Sequence, residues 1–347
     1  MRFFRVALRK IKLFVLFWTR IVFVRNNFKV GFFTKLKCNF CGGFLADQYV
    51  LYDLKHNSKD EFLSEFDWYR SRYINAPFDF AFNNKVVCTE ILREKIRTAE
   101  NYFIRNKGIL YDFKSGVKRT DDVFELLERK EKLIIKPFAL GKGNGVHLIS
   151  SEGGRLSFDE HEVEKSVIED YLEKKDEYII CEYIKQHSYA DSLFDKTANT
   201  IRLITMRDVE SCEMKIFFAV QRIGTEATVP VDNGSKGGLV AKIDLDTGVL
   251  SEGRCLKSTD VFEIHPDSGQ QIKGTVIPGW EKIKKDILKA AELLPYMDFI
   301  AWDILVTEKC PCIIEANSSS GVNIIQLWGG QRNGELGDFF RHHGVIK

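Results

Sequence analysis

Apolar positions in the first third of the chain recur at helical spacing. Phe3, Phe4, Leu8, Ile11, Phe14, Val15 and Trp18 surround a stripe of Arg2, Arg5, Arg9 and Lys12, spaced by three and four. Residues 60–72 carry Phe62, Phe66 and Tyr69 on one face, and residues 84–103 place Val87, Ile91, Ile96, Ala99 and Phe103 inward. Asp121 or Asp122 caps a further helix running to Lys130. The period then shortens. Residues 133–136 and 146–149 read as strands around a glycine loop, 163–172 as a helix, and 178–184, 200–206, 215–221 and 240–244 as strands. Residues 281–294 form an amphipathic helix with Ile283, Ile287, Ala291 and Leu294 on one side, ended by Pro295. Two last strands, 300–306 and 312–316, flank a turn at 307–311. Helices early and antiparallel strands later predict an α+β fold.

The chain has 347 residues, enough for two or three subdomains, with no internal repeat. The pattern divides it into a basic aromatic head (1–45), a mostly helical domain (46–130), a subdomain holding the glycine loop (131–196) and a C-terminal subdomain (197–347). Hydrophobic content of 44% and charged content of 29% exclude a disordered chain.

Charge sharpens the picture of the head. The net +2 hides an asymmetry: ten of the 51 Lys and Arg precede Asp47, the first acid, leaving 41 against 49 Asp and Glu. A basic head on a mildly acidic body is a docking feature, not a nucleic-acid footprint, and no nucleic-acid partner is expected. The longest uncharged run, 13–19, is far shorter than the roughly 20 residues that span a bilayer. No small-residue cleavage site follows, and Arg20 and Arg25 interrupt the apolar run, unlike a signal peptide. The head therefore reads as an interfacial helix on anionic lipid, with packing on the protein's own body or on a partner as the alternative. A cytoplasmic protein, peripheral on the inner face of the membrane, is expected. Eight cysteines form no even disulfide framework; Cys38 and Cys41 have zinc-knuckle spacing, but Cys310-Pro311-Cys312 is a poor second half, so buried reduced thiols are expected.

Two stretches carry chemistry. In Gly141-Lys142-Gly143-Asn144-Gly145, glycines at alternate positions let backbone amides approach an anion. No Gly-Lys-Ser/Thr closes the loop and no helix follows it, which excludes a Walker A loop and a Rossmann fingerprint. Lys136 lies on the strand entering it, within reach of the same pocket. The second stretch is the last hairpin. Glu315 and Asn317 are two apart and share a strand face. A turn centred on Lys309 sets Asp303 opposite Glu315, with Cβ atoms about 4.5–5.5 Å apart. Two carboxylates that close call for a cation, and hard oxygens suit Mg²⁺, which takes phosphate oxygens as further ligands.

With these residues in place the chain resembles the ATP-grasp superfamily, and within it the sugar-transfer-associated ATP-grasp proteins. The matching stretches are Asn83-Asn84-Lys85, Ile135-Lys136-Pro137 before the glycine loop, Cys181-Glu182-Tyr183-Ile184, Asn199-Thr200-Ile201-Arg202 and Asp303 with Glu315-Ala316-Asn317. Val231-Asp232-Asn233 with Gly237-Gly238, His265-Pro266-Asp267 and Pro278-Gly279-Trp280 add to them, and the resemblance covers about residues 45–330. It implies two α+β subdomains clamping ATP behind a helical N-terminal region. It also implies an ATP- and Mg²⁺-dependent (or Mn²⁺-dependent) ligase that activates a carboxylate as an acylphosphate for attack by an amine, forming an amide.

By the same resemblance, Lys85 and Lys136 contact the nucleotide and its α-phosphate, and Gly141, Lys142, Gly143 and Gly145 cover the β- and γ-phosphates. Glu182, Tyr183 and Ile184 form the adenine linker, and Asp303, Glu315 and Asn317 hold the metal. Arg202 faces the transferred phosphoryl group and, with Lys136, is assigned to catalysis. The ribose-binding acid usually found beyond the linker is replaced by Gln186-His187-Ser188, with Asp191 and Asp195 later; His187 is a candidate there. Lys236, Gly237, Gly238 and His265 are candidate substrate contacts. The expected partners are a carboxylate-bearing sugar of a cell-surface polysaccharide, or its precursor, and an amine. The alternatives are a phosphotransferase acting on a sugar hydroxyl and a non-catalytic nucleotide-binding partner of a glycosyltransferase.

Overall fold

The computed structural model describes residues 2–139, 141 and 143–347. The N-terminal region is helical: α1 (Arg2–Phe17), α2 (Phe32–Phe40), α3 (Ala46–Leu51), α4 (Glu65–Ser71) and α5 (Lys85–Leu92). Where 60–72 predicts one helix, α4 starts at a capping box. Ser64 Oγ accepts from Asp67 N (3.2 Å), and Asp67 Oδ2 accepts from Ser64 N (3.0 Å). Residues Lys59–Glu61 form a separate 3-10 turn.

The helix predicted over 84–103 is corrected in its second half. It stops after Leu92, and the chain enters β1 (Asn101–Asn106), which pairs with β2 (Ile109–Asp112). Lys107 and Gly108, at φ 53° and 76°, make the two-residue hairpin turn that wants both central residues left-handed. Tyr102, Phe103 and Ile104 favour a strand, and Phe103 is buried where Tyr102 and Ile104 are not.

An eight-stranded antiparallel sheet follows, ordered β3-β2-β1-β8-β4-β5-β6-β7. Its remaining strands are β3 (Gly116–Lys118), β4 (Lys132–Pro137), β5 (His147–Glu152), β6 (Arg155–Phe158), β7 (His161–Glu162) and β8 (Tyr178–Glu182). Helices α6 (Thr120–Lys130) and α7 (Lys165–Lys174) bury Val123, Leu127, Ile168 and Leu172 against Leu133, Ile135, Ile149 and Ile180. Because β1 pairs with β8, this subdomain begins at 101, ahead of the expected boundary at 131.

After α8 (Ser188–Leu193), a seven-stranded sheet runs β13-β12-β11-β10-β9-β14-β15. Its strands are β9 (Ile201–Arg207), β10 (Met214–Ile223), β11 (Leu239–Ile243), β12 (Leu250–Cys255), β13 (Val261–Phe262), β14 (Phe299–Leu305) and β15 (Cys312–Asn317), with α9 (Trp280–Glu292), α10 (Val322–Gln326) and α11 (Glu335–His342). The sheet is covered on both faces. Leu203, Trp302 and Ile304 pack with Trp280, Ile283 and Ile287 of α9. Ile204 and Phe299 pack with Phe339 and Phe340 of α11 and with Leu63. Double coverage explains why every residue of β14 is buried and its sequence does not alternate.

The head packs on this body. Ile21 is fully buried, Phe17 meets Phe66 edge-on at 5.3 Å, and Arg9 lies 4.5 Å over the Tyr73 ring. Asp47 ties down the segment after α1: its carboxylate accepts from Asn27 N (2.8 Å), Asn27 Nδ2 (2.9 Å) and Phe28 N (2.9 Å). Asp47→Ala removes three charge-assisted bonds and is expected to cost about 2 kcal/mol in chemical denaturation, with protease cleavage appearing first at 23–31.

Candidate functional site

The site forms around the start of α5, which meets the end of β4 on one side and Glu315 of β15 on the other. Asn84 caps α5 by accepting from Val86 N (2.9 Å) and Val87 N (3.3 Å), which puts Lys85 at the first helical position. Lys85 N donates to Phe138 O at the end of β4 (2.8 Å), so helix and glycine-loop strand are locked together. Lys85 Nζ lies 3.8 Å from Glu315 Oε1, an ion pair too long for a hydrogen bond. Burial lowers the Lys85 pKa; Glu315 opposes this and the nearby Lys136 charge adds to it. Lys136 is itself buried on β4 near the Cys181 thiol on β8, whose pKa burial raises against the opposing Lys136 charge. Ile134 pairs with Cys181, which makes Lys136 and Cys181 diagonal neighbours on one face.

Three adjacent strands of the second sheet carry a row of charges. Asp303 of β14 is registered opposite Glu315 of β15, as the turn centred on Lys309 predicts, and opposite Arg202 of β9. Arg202 grips Asp303 in a fork, Nε to Oδ1 at 2.5 Å and Nη2 to Oδ2 at 2.9 Å, and its Nη1 reaches Ser320 Oγ at 3.4 Å. A second guanidinium, Arg222 of β10, lies 3.3 Å from Asp303 Oδ1 and 2.6 Å from Asp232 Oδ1. Asp232 Oδ2 accepts from Thr200 N (2.8 Å) and Thr200 Oγ1 (2.6 Å). Burial pushes the Asp303 carboxyl upward, but Arg202 and then Arg222 outweigh it and hold it below the ordinary value.

The glycine loop reaches this network from the other sheet. Gly143 and Gly145 have φ of 66° and 69°, and a Cβ on Gly143 would stand 2.8 Å from Val231 Cγ1, next to Asp232. Gly141 has open space around it and ordinary φ. Lys142 lies outside the described residues. Gly238 also abuts the network, since a Cβ there would meet Asp232 O at 2.8 Å; Gly237 takes φ 119°, and the Lys236 carbonyl accepts from Lys257 Nζ (3.0 Å).

Other candidates have different work. The Glu182 carboxylate is forked by Arg97 (2.8 and 3.3 Å) and accepts from Glu100 N (3.2 Å), so 182–184 offers a base its backbone groups, the exposed Tyr183 ring and the half-buried Ile184 side chain. His187 is corrected to a structural residue. Its Nδ1 accepts from Tyr189 N (3.1 Å) to cap α8, and Nε2 lies 3.1 Å from Glu308 Oε2. His265 is likewise corrected. It is buried and stacked on Phe194 (5.1 Å), with Nε2 on Gly224 O (2.8 Å) and Nδ1 on Asp267 N and Ser268 N, leaving no ring nitrogen for a substrate.

Arg222 and Arg97 are absent from the sequence-derived set. The signal for Arg222 was a lone charge within the apolar stretch Ala219-Val220-Gln221-Arg222-Ile223, matching Arg202 at the start of the neighbouring strand. Arg222→Ala leaves Asp232 and Asp303 each short of a buried cation and is expected to cost about 3–5 kcal/mol in urea unfolding. Arg222→Lys, which lacks the fork, recovers only part of that loss.

Among curated proteins, none matches the sequence. Several solved structures align weakly. The ADP complex of N5-carboxyaminoimidazole ribonucleotide synthetase (purK) has 13% identity and a TM-score of 0.40, covering 70% of this chain and 46% of that one. D-alanine–D-alanine ligase from Bacillus anthracis has 15% and 0.37, covering 70% and 58%. The ATP-grasp ligase PsnB with its minimal precursor has 14% and 0.39, covering 78% and 64%. The chain thus spans less than two thirds of each of these proteins. A protein-family model, sugar-transfer associated ATP-grasp, matches residues 67–334. That match covers most of the chain and includes Lys85, Lys136, the glycine loop and the Arg202–Asp303–Glu315 row, so the chain belongs to the sugar-transfer associated ATP-grasp family and has its α+β fold, two subdomains behind a helical N-terminal region.

Proposed function

We propose that the protein is an ATP-dependent ligase that activates a carboxylate as an acylphosphate and joins it to an amine, with the carboxylate on a sugar of a cell-surface glycan or its precursor. The observation that supports this reading is the arrangement of charge: Lys85 and Lys136 come from one side, and Glu315, Asp303 and Arg202 stand in a row on three strands of the other. Lysines and glycine-loop amides suit a polyphosphate, whose charge spreads outward in a loose phosphoryl transition state.

The residues also fit a hard divalent cation. Among the described residues no group of three or more His, Cys, Asp or Glu is placed to hold a metal, so the donor set is two carboxylates and the Asn317 amide. Three of the roughly four lone-pair positions of Asp303 are taken by Arg202 and Arg222, which leaves one. Few protein oxygens suit Mg²⁺, which keeps waters and shares phosphate oxygens. Asp303, Glu315 and Asn317 would hold Mg²⁺ or Mn²⁺, and the cation would neutralise phosphate charge there.

In the reaction, a carboxylate oxygen attacks the γ-phosphorus and the bond to ADP breaks. The amine nitrogen then attacks the acyl carbon, phosphate leaves, and the amine loses a proton. Lys136 and Lys85 orient the polyphosphate, and Arg202 offers Nη1 beside Ser320 toward the transferred group.

Purified protein with Mg²⁺-ATP, a uronic acid and an amine is expected to release ADP and phosphate. AMP with pyrophosphate would overturn the acylphosphate, and a phosphorylated acceptor without free phosphate would select phosphotransfer to a hydroxyl. Glu315→Gln is expected to lower turnover by at least the roughly 100-fold that losing a supporting partner costs a metal site. Near-normal turnover would remove Glu315 from the site.

The head supports peripheral binding to an anionic inner membrane face. Among the described residues no helix is long and apolar enough to cross a membrane. Trp18 instead centres an aromatic patch with Phe14 (6.3 Å), Phe23 (5.8 Å) and Phe40 (6.0 Å), of which Phe14 and Phe23 are 64% and 74% exposed. The surrounding sequence is basic, and each Lys or Arg near an anionic surface contributes about 1 kcal/mol. The double variant Phe14→Ser, Phe23→Ser is expected to cosediment with phosphatidylserine vesicles at least about ten-fold more weakly, the loss of two exposed aromatics costing no core packing. Unchanged sedimentation would count against the membrane.

A further inference from the structure

A cavity of about 270 Å³ lies between the head and the loops that bear the catalytic residues. Lys12 of α1 forms one wall, and Tyr69, Arg72 and Tyr73 at the end of α4 form a second. Asn83 and Ser318 close the third side, beside Asp79. These last positions join it to the proposed transfer centre, since Asn83 stands two residues before Lys85 and Ser318 directly follows Asn317.

The walls are held in place. Asn75 Nδ2 donates to Phe299 O (2.7 Å) and Ser318 O (3.2 Å), which fixes the loop after β15 against β14. Arg9 sits over Tyr73 and donates to Arg70 O (3.3 Å), which holds α1 against α4. The head is therefore a wall of the cavity and not only an anchor.

Leu16 and the tyrosine rings make about half of the lining apolar, and its polar half holds two cations, three hydroxyls and the Asn83 amide. Among the described residues neither Lys12 nor Arg72 belongs to an ion pair, and Asp79 is the one carboxylate lining the cavity. Burial pushes the Tyr69 phenol up to about 12, so it stays a neutral hydroxyl. A volume just below the roughly 300 Å³ at which ligand pockets begin admits one ring-sized unit, not a nucleotide or an oligosaccharide.

We infer that this cavity binds a single anionic sugar unit of the acceptor, its carboxylate or phosphate met by Lys12 and Arg72 and its hydroxyls by Tyr69, Asp79 and Asn83. That this sugar is the acceptor rests on the ligase reaction proposed above; binding of the anionic sugar does not.

Calorimetric titration of the full chain with glucuronate, glucose 1-phosphate and glucose separates the possibilities. At least one anionic sugar is expected to bind more tightly than glucose, and the tighter one names the anion. Arg72→Ala and Lys12→Ala are each expected to weaken it by about ten-fold, the share of one charge-assisted bond, with partial recovery in Arg72→Lys. Binding of a non-hydrolysable ATP analogue is expected to stay within about two-fold in all three variants, which also shows that they fold. Absence of binding by both anions, equal binding of glucose, or insensitivity to both substitutions would overturn the assignment. Failure of wild-type protein to bind the ATP analogue would sink the ligase reading while the sugar titrations still decide the cavity.

Discussion

The fork between Arg202 and Asp303 is the interaction on which this molecule depends. It sits in a sheet covered on both faces, where an unpaired carboxylate would carry a desolvation penalty of several kcal/mol. The guanidinium is held on the next strand at the same register position, and Arg222 extends the pairing to Asp232 and so to the backbone of Thr200. A slip of one residue would turn Asp303 onto the opposite face of the sheet and part it from Arg202. The charge row thus fixes the register of β9, β14 and β15 and, with it, the face on which Glu315 and Asn317 appear.

The other half of the site is brought in by short tethers. Lys85 N bonds Phe138 O, Ile313 N bonds Arg97 O (2.8 Å), and Arg97 forks Glu182. The first joins the glycine-loop sheet to α5, and the other two, through Arg97 in the segment after α5, link β15 to β8. Their effect is to place two lysines where their mutual repulsion is offset by Glu315. A site built this way has an excess of positive charge on the glycine-loop side and negative charge on the strand side, the polarity that the proposed metal–nucleotide complex would bridge.

Much of this was legible from local pattern. The glycine loop, Lys136 ahead of it and the Asp303–Glu315 pairing follow from period and turn position alone. The helix expected over 84–103 failed because Ile96, Ala99 and Phe103 fit a helical period by coincidence, while residues 101–106 gain more by pairing with β8 and β2. That pairing also moved the subdomain boundary. His187 and His265 look available in sequence because nothing local shows Glu308 or Phe194 beside them.

By itself the sequence determined much of what lies within a few residues: most element types, the shared face of Glu315 and Asn317, and the alternating glycines of the loop. These depend on backbone geometry, which has a period of two or 3.6 residues. Tertiary structure alone decided that Arg222 completes the carboxylate network, that His187 and His265 are spent on packing and capping, and that the basic head lines a cavity beside the proposed transfer centre. Apart from the local cap at His187, each of these requires segments far apart in the chain to meet, and such meetings are settled by burial and by the pairing of buried charge, neither of which leaves a periodic trace.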